Sequence, residues 1–243
     1  MISVTEKPQN SISPSKNGVA EIHYPESDGK PMAETDKHLT QIIYLIESLR
    51  NYFRKRDDVY VFGDMMFYYE EGNPRKVIAP DVAVVIGTTK EPRRTFKLWE
   101  EKTPQVVFEI SSRSTFNEDF QKKWQLYEKF GVKEYYIFDP ESDYLKDESF
   151  WAYRLDDFGE LNKVIIEDNR IHSDVLNLAL MISSEGLRFF NPATNEFLRS
   201  LSEETDVRSV IENQLKEETN ARLQAENEIA LLRAELERLK NPG

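Results

Sequence analysis

Apolar side chains recur at helical spacing in an early segment of the chain. Thr35 is a typical N-cap residue, and Asp36 follows it in the first turn. Behind this cap, six apolar residues share one helix face: Leu39, Ile42, Ile43, Ile46, Leu49 and Phe53. The pattern predicts a helix that ends near Arg54 and packs its apolar face against a sheet.

Two apolar runs in the middle of the chain predict buried strands. Gln105–Ser111 and Glu134–Phe138 are almost continuously apolar, which is typical of strands that are covered on both faces. Between them, Thr115–Phe130 has helical periodicity, and Gly131 is suited to end that helix as its C′ residue.

Shorter strand-like segments lie on either side of these runs. Asp156–Gly159 separates two of them and is suited to a hairpin turn. The segments are either rich in valine and aromatic residues or short and apolar: Val59–Glu70, Ile78–Ile86, Phe150–Leu155, Lys163–Glu167, Val175–Met181 and Leu187–Asn191. The order of strands and helices predicts an α/β fold with a mixed central sheet that is flanked by helices.

The composition changes near the C-terminus, where residues 203–240 lack glycine, proline and aromatic residues. Glu218 and Arg222 occupy the middle positions of a stripe whose other members are apolar. The apolar members follow alternating three- and four-residue steps: Ile211, Leu215, Ala225, Ile229, Leu232, Leu236 and Leu239. This stripe predicts a coiled coil and a homodimer, because so narrow a stripe buries little without a partner. A lone solvated helix is the alternative.

These patterns divide the chain into three predicted parts. Residues 1–30 form a partly disordered N-terminal segment, residues 31–201 form the folded domain, and residues 202–243 form the coiled-coil helix. The 243 residues include no cysteine, which excludes disulfides and thiolate metal sites and favours a reducing, cytoplasmic setting. No apolar run is long enough to cross a membrane. The net charge of -12 argues against broad, non-specific binding of nucleic acid.

Two carboxylates occupy positions where charge is unexpected. Because side chains alternate along a strand, Glu109 lies in the middle of an otherwise apolar run and needs a partner or a metal ion. Asp81 opens the neighbouring apolar run and follows Pro80. Carboxylate oxygens from two adjacent strands are the ligands that Mg²⁺ prefers, and they leave coordination places for water and a phosphate.

A lysine lies on the apolar face of the predicted helix. At about 100° per residue, Lys123 falls about 20° from Phe116, within the same arc as Tyr127, which is interpreted as a core residue. A lysine in this position needs an anion, and Glu109 is on the adjacent strand. Asp119 precedes Lys123 by one turn and could orient its ammonium group. The alternative is a buried Lys123–Glu109 ion pair that performs no chemistry.

Taken together, the motifs resemble the Uma-type family of putative restriction endonucleases in the PD-(D/E)XK nuclease superfamily. The resemblance covers roughly residues 30–191. It rests on Pro80-Asp81, the run Val-Val-Phe-Glu109-Ile-Ser-Ser, Asp119, Lys123 with Tyr127, and the segment Gly131–Pro140. It implies a restriction-endonuclease-like core, a Mg²⁺-dependent site, for which Mn²⁺ could substitute, and nucleic acid as the substrate.

The resemblance also implies roles for individual residues. Asp81 matches the aspartate of the family's first half-motif, and Glu109 matches the second acid. The usual position of the lysine holds Ser111, and Lys123 on the following helix takes its place.

Other candidate residues carry less specific roles. By the same resemblance, an acid from the first helix often joins the metal site, and Glu34 or His38 could serve here. Arg93, Arg94 and Lys97 form a basic cluster that could meet the nucleic-acid backbone, although a solvated loop explains the cluster equally well.

The sequence therefore predicts a Mg²⁺-dependent endonuclease that hydrolyses phosphodiester bonds, with DNA as the expected substrate. Two alternatives remain open. One is a catalytically inactive nuclease fold that acts as a regulatory module and assembles through its coiled coil. The other is a coiled-coil scaffold with an inert folded domain.

Overall fold

The structure is a computed structural model that describes residues 12–13, 21–29, 35–111, 122–142 and 148–240. Its helices are α1 Asp36–Tyr52, α2 Trp124–Phe130 and α3 Leu201–Lys240. Its strands are β1 Ile12–Ser13, β2 Glu21–Ile22, β3 Val59–Phe62, β4 Phe67–Tyr68, β5 Val77–Ile78, β6 Val82–Ile86, β7 Phe96–Lys97, β8 Val106–Ile110, β9 Glu134–Phe138, β10 Phe150–Leu155, β11 Leu161–Val164, β12 Arg170–Ser173, β13 Leu178–Ser183, β14 Gly186–Asn191 and β15 Glu196–Phe197.

The central sheet has six strands in the order β11-β10-β9-β8-β6-β3. Strands β8 and β9 are parallel and are connected through the segment that contains α2, whereas the other neighbouring pairs are antiparallel. All residues of β8 and β9 are buried, as the continuous apolar runs predicted. The predicted α/β fold with a mixed central sheet is confirmed.

Each face of the central sheet has its own apolar core. On one face, α1 packs together with the strands of a second sheet, β12-β13-β14-β15. On the other face lie α2 and a small sheet of order β5-β4-β7. The cap of α1 is the predicted one, because Thr35 Oγ1 accepts a hydrogen bond from the backbone N–H of His38 at 3.2 Å.

Two predicted strands are each divided in the structure. Val59–Glu70 forms β3 and β4, which belong to different sheets and are separated by a bend at Gly63 and Asp64. Ile78–Ile86 contributes to β5 and β6, with the break around Pro80. Proline has no backbone N–H for a sheet ladder, so a break at this residue has a direct cause. Both divisions place loop backbone beside Asp81.

Helix α2 covers the end of the predicted segment Thr115–Phe130. Residues 112–121, which include Asp119, lie outside the described residues. Lys122 and Lys123 have π-helical geometry immediately before α2, and Gly131 ends the helix in the left-handed conformation (φ 77°) as predicted. The predicted hairpin after Phe150 is also confirmed, with β11 beginning at Leu161 rather than at Lys163.

The contacts within the chain separate it into two compact units, Met1–Leu198 and Arg199–Gly243. The second unit consists mainly of α3, which begins with a capping box. The backbone N–H of Ser200 donates to Glu203 Oε2 (2.6 Å), and that of Glu203 donates to Ser200 Oγ (3.2 Å). No residue of α3 is buried. None of the described helices combines the length and apolar character that a membrane span requires.

Candidate active site

The register of the central sheet places the two predicted acids at facing positions of adjacent strands. Val82 pairs with Phe108 across β6 and β8, so extending this register by one residue places Asp81 opposite Glu109. The Glu109 side chain is completely buried. A carboxylate at such a site is strongly destabilised unless charged or hydrogen-bonding groups compensate for the lost water.

Lys123 and Tyr127, four residues apart in the helical segment, supply charge and a hydrogen bond that compensate for the lost water. Lys123 Nζ lies 2.8 Å from Glu109 Oε2, and the Tyr127 hydroxyl donates to Glu109 Oε1 at 2.5 Å. The predicted ion pair between Lys123 and Glu109 is therefore present. Tyr127 was interpreted as a core residue, but its hydroxyl also holds the acid. The helical spacing of four residues between Lys123 and Tyr127 was the available signal.

Asp81 is held differently and stays partly accessible. Its Oδ2 accepts a hydrogen bond from the backbone N–H of Ile110 at 2.7 Å. The same oxygen is 3.9 Å from Nε2 of His38, which is buried on α1. Of the two first-helix candidates, His38 thus lies beside Asp81, whereas Glu34 lies outside the described residues. The Asp81 side chain is 19% exposed, so a solvent-borne group can reach it.

Three contacts fix the backbone that carries Asp81. Lys123 Nζ is 3.4 Å from the carbonyl oxygen of Ala79, and the N–H of Asp64 donates to the carbonyl of Pro80 at 3.0 Å. Gly63 packs so closely that a Cβ there would lie 2.3 Å from the Asp81 carbonyl oxygen. These contacts therefore hold the segment between β5 and β6, which carries Asp81, in a fixed position.

Asp64 is a third acid near this segment, and the sequence reasoning did not select it. Its backbone is in the left-handed region (φ 48°), which is uncommon for a residue other than glycine. Partial burial, followed by the negative charges of Asp81 and Asp28, raises the pKa of the Asp64 carboxyl above its usual value. The signal in the sequence was its position directly after Gly63, within the predicted strand Val59–Glu70.

Ser111 occupies the position after β8 where the family pattern usually has a lysine. Its side chain is buried, and its Oγ has no hydrogen-bond partner within the part of the chain that the structure describes. By alternation along the strand, it points to the same face as Glu109. The role of Ser111 as a supporting residue stays a prediction.

Glu134 is a second buried carboxylate, and its contacts connect parts of the fold. Glu134 accepts hydrogen bonds from the backbone N–H groups of Asp174 (2.8 Å) and Val175 (3.2 Å), so it connects β9 to the turn after β12. Burial, together with the charge of Glu134, raises the pKa of Tyr136 well above its usual value. Glu134 also accepts hydrogen bonds from the hydroxyls of Tyr136 (3.1 Å) and Ser173, whereas the partners of Glu109 include the Lys123 ammonium.

The predicted basic cluster is neutralised by neighbouring acids. Arg93 forms a close ion pair with Glu101 and its guanidinium lies over the ring of Tyr60 (4.3 Å). Arg94 pairs with Glu26 at 2.8 Å, and Lys97 pairs with Glu100 at 3.0 Å. Arg93 is also largely buried, with 13% of its side chain exposed. A contact of Arg93, Arg94 and Lys97 with nucleic acid stays a prediction.

The Arg93–Glu101 pair predicts a pH-dependent contribution to stability. Burial opposes ionisation of Glu101, but hydrogen bonds from Arg93 and Thr88 outweigh it and lower the pKa of Glu101 below its usual value. A lowered pKa in the folded state stabilises the fold at neutral pH, and this contribution disappears as the pH falls through that pKa. We expect Arg93→Met to lower the urea midpoint at pH 7 more than at pH 3.5. Lys97→Met is the control, and equal losses at both pH values would contradict the prediction.

The carboxylate oxygens of Asp81 and Glu109 can be compared with the ligands that a divalent cation requires. Among the described residues, no three His, Cys, Asp or Glu side chains converge into a cluster that could hold a metal ion alone. Asp81 and Glu109 nevertheless supply oxygen donors from adjacent strands, and each carboxylate oxygen can accept more than one interaction. The pair therefore fits a hard cation such as Mg²⁺, which takes one or two carboxylates and completes its shell with water and phosphate oxygens.

Comparison with protein families identifies the group to which these residues belong. The sequence matches the Uma2 family, described as "Putative restriction endonuclease", over residues 20–183, which is more than half of the chain. The chain belongs to this family. Its mixed central sheet with flanking helices is accordingly a restriction-endonuclease-like fold, and family membership supports a nuclease function.

Among solved structures, one similar chain is described as a putative nuclease belonging to DUF820 from Anabaena variabilis ATCC 29413. The two chains share 15% sequence identity, and the TM-score is 0.44. The similarity covers 65% of this chain and 79% of the other. No curated protein matches the sequence at a significant level.

Proposed function

We propose that this member of the Uma2 family is a metal-dependent endonuclease that hydrolyses phosphodiester bonds, with DNA as its expected substrate. The observation that carries the proposal is the 2.8 Å contact between Lys123 Nζ and the fully buried Glu109 carboxylate, in register with the partly exposed Asp81. Lys123 contributes positive charge beside Glu109, and the neighbouring Asp81 contributes a carboxylate that solvent can reach.

Each residue has a separate role in this proposal. Asp81 and Glu109 would hold Mg²⁺ or Mn²⁺. Lys123 holds its ammonium where it can stabilise negative charge that develops on the phosphate oxygens. Tyr127 fixes the orientation of Glu109, and the backbone N–H of Ile110 fixes that of Asp81, which also lies near His38. A metal ion held there would polarise the phosphate and lower the pKa of a water molecule.

The charge distribution bears on how nucleic acid approaches. The chain has 44 acidic and 32 basic residues, so it lacks the overall positive charge of many nucleic-acid-binding proteins. A metal ion would supply positive charge locally at Asp81 and Glu109. The pairing of Arg93 with Glu101 favours the alternative of an inactive module, because it removes one cation from the expected phosphate contact.

A cleavage assay tests the proposal directly. Purified protein is incubated with plasmid DNA, single-stranded DNA and RNA in Mg²⁺, Mn²⁺ or EDTA. We expect metal-dependent cleavage of DNA by the wild type and a loss of at least about 100-fold in Asp81→Asn, since weaker perturbations of metal sites already cost 10- to 100-fold.

A matched control is Asp58→Asn, because Asp58 is a half-exposed aspartate that pairs with Arg56 at 2.7 Å. This variant should cleave at the wild-type rate. If the wild type cleaves none of the substrates, or if Asp81→Asn cleaves as fast as the wild type, the nuclease proposal fails and the regulatory module is favoured.

We also propose that α3 joins two copies of the chain. The helix has no buried residue, although its seam is apolar from Ala225 to Leu239, and Leu232 and Leu236 are each more than half exposed. Burying such side chains is the main source of stability for a helix of this kind. A second copy offers the same stripe.

A further inference from the structure

The order of the seam residues assigns heptad positions along α3. An a position is followed by a d position after three residues, and a d position by an a position after four. The a positions are Leu201, Arg208, Leu215, Arg222, Ile229 and Leu236. The d positions are Glu204, Ile211, Glu218, Ala225, Leu232 and Leu239.

The continuous apolar part of this seam runs from Ala225 to Leu239. Ile229 is 50% exposed and Leu239 is 74% exposed, so these layers lie open to a partner helix. Among parallel coiled coils, Ile229 at a followed by Leu232 at d is the combination that favours two strands. Five successive apolar layers, beginning at Ala225, meet their own counterparts only if the two helices are parallel and in register.

Charges beside the seam discriminate between the two directions. In a parallel pair, each g residue faces the e residue five positions later on the other helix. Glu228 then faces Arg233 of the second copy, and Glu235 faces Lys240 of the second copy. In an antiparallel pair of the same heptads, g faces g, which places Glu228 against Glu235. Charge complementarity therefore favours the parallel arrangement.

The polar middle of the seam restricts the register. Glu218 at d and Arg222 at a form adjacent layers, so each Arg222 can reach Glu218 of the second copy in a parallel, in-register pair. A shift by one heptad would set both charges against Ile211, Leu215, Ala225 or Ile229. Arg222 also pairs with Glu226 within its own helix at 2.9 Å, which keeps its head near the edge of the seam.

We propose that α3 pairs with α3 of a second copy as a parallel, in-register, two-stranded coiled coil. The inference rests on the proposed dimer and adds its direction and register. A helix of 40 residues is about 60 Å long, and parallel pairing brings both Leu201 ends to the same end of this rod. The two polypeptides then enter the rod together, which raises the effective concentration of one candidate site near a nucleic acid bound by the other.

Disulfide cross-linking of the full chain tests direction and register. The sequence has no cysteine, so each single-cysteine variant carries one thiol. Ile211→Cys and Leu239→Cys are both at d positions and about 42 Å apart along the helix. We expect both variants to form disulfide-linked dimers under mild oxidation, since d residues face each other in parallel pairs. Leu231→Cys lies outside the seam and should link at most slowly.

The possible results test dimer formation and the parallel register separately. A monomer by sedimentation of the reduced wild type at tens of micromolar would overturn both the dimer and this inference. A dimer that links through only one of the two cysteines, or through neither, keeps the dimer and overturns the parallel register. The cleavage assay with Asp81→Asn does not depend on either result.

A charge-reversal series provides a second measurement in case a cysteine disturbs the helix. Glu228→Lys places like charges opposite each other twice in a parallel pair, and we expect a dissociation constant about tenfold weaker. Glu228→Lys combined with Arg233→Glu should restore the affinity, because the facing residues of the two copies again have opposite charges. Residues five apart do not face each other within one helix, so this recovery would report a contact between the helices. If the double variant stays as weak as the single one, the parallel arrangement is wrong.

Discussion

Replacing Lys123 by methionine is expected to lower the free energy of unfolding by about 3–5 kcal/mol, because Glu109 would remain buried without its cation. Glu109 is completely buried, and Lys123 Nζ is 2.8 Å from its Oε2. Methionine keeps an unbranched apolar side chain, so the change mainly removes the charge and its hydrogen bonds. Urea-induced unfolding, followed by circular dichroism, measures the loss.

The double variant Glu109→Gln/Lys123→Met separates stability from chemistry. A neutral glutamine can still accept the hydrogen bond from Tyr127, and no uncompensated charge remains, so much of the lost stability should return. Cleavage should not return, because both an acid of the metal site and the ammonium group are gone. Lys122→Met is the matched control, since Lys122 is the exposed neighbour, and we expect a change within about 0.5 kcal/mol.

The same variants decide between the two interpretations of the buried ion pair. If Lys123 and Glu109 form only a structural pair, the stabilised double variant will cleave nucleic acid as fast as the wild type. If they belong to the active site, it will be folded and inactive. A single Lys123→Met variant that is as stable as the wild type would contradict the burial argument itself.

Local signals predicted the parts of the site that lie on regular elements. Thr35 begins α1 because a side-chain oxygen before an apolar helix face satisfies the first free N–H groups. Glu109 was recognisable because a charge inside a doubly buried strand needs compensation. Lys123 was recognisable by its angle on the helix, and the structure places it against Glu109.

Contacts between segments that are distant in sequence could not be predicted in the same way. Strands β4, β5 and β7 have two residues each, which is too short for any periodic pattern, and β7 pairs in parallel with β4. Arg93 pairs with Glu101, which lies eight residues later in an irregular loop, and no local pattern predicted this pair. Its charge alone suggested a phosphate contact, whereas the folded loop provides an internal partner.

For Asp81, the sequence predicted the acid itself but not the contacts that position it. The sequence identified the acid from the preceding proline and the following apolar run. It did not show that the turn after β3 would support the Asp81 backbone, because the segment Val59–Glu70 was predicted to continue as one strand. A backbone contact between Gly63 and Asp81 has no side-chain pattern, so its only trace in the sequence is the glycine.

Replacing Gly63 by alanine is therefore expected to reduce both stability and cleavage. The new Cβ would lie 2.3 Å from the Asp81 carbonyl oxygen and 2.5 Å from Ile46 Cδ1. The isoleucine end can rotate away, but the carbonyl cannot move alone. The carbonyl of Pro80 is bonded to Asp64, and Asp81 Oδ2 is bonded to the N–H of Ile110. We expect a loss of about 1–3 kcal/mol in the free energy of unfolding, as for other overpacked sites.

The loss of cleavage should exceed what unfolding explains. At low temperature and without denaturant, a protein destabilised by this amount remains mostly folded, so any remaining loss of cleavage reports displacement of Asp81 from Glu109. Gly159→Ala is the matched control: Gly159 has φ 83° and no heavy atom within 4 Å of an added Cβ. It should cost about 1–2 kcal/mol through backbone strain and leave cleavage unchanged. Wild-type cleavage by folded Gly63→Ala would show that the close contact does not position the catalytic acid.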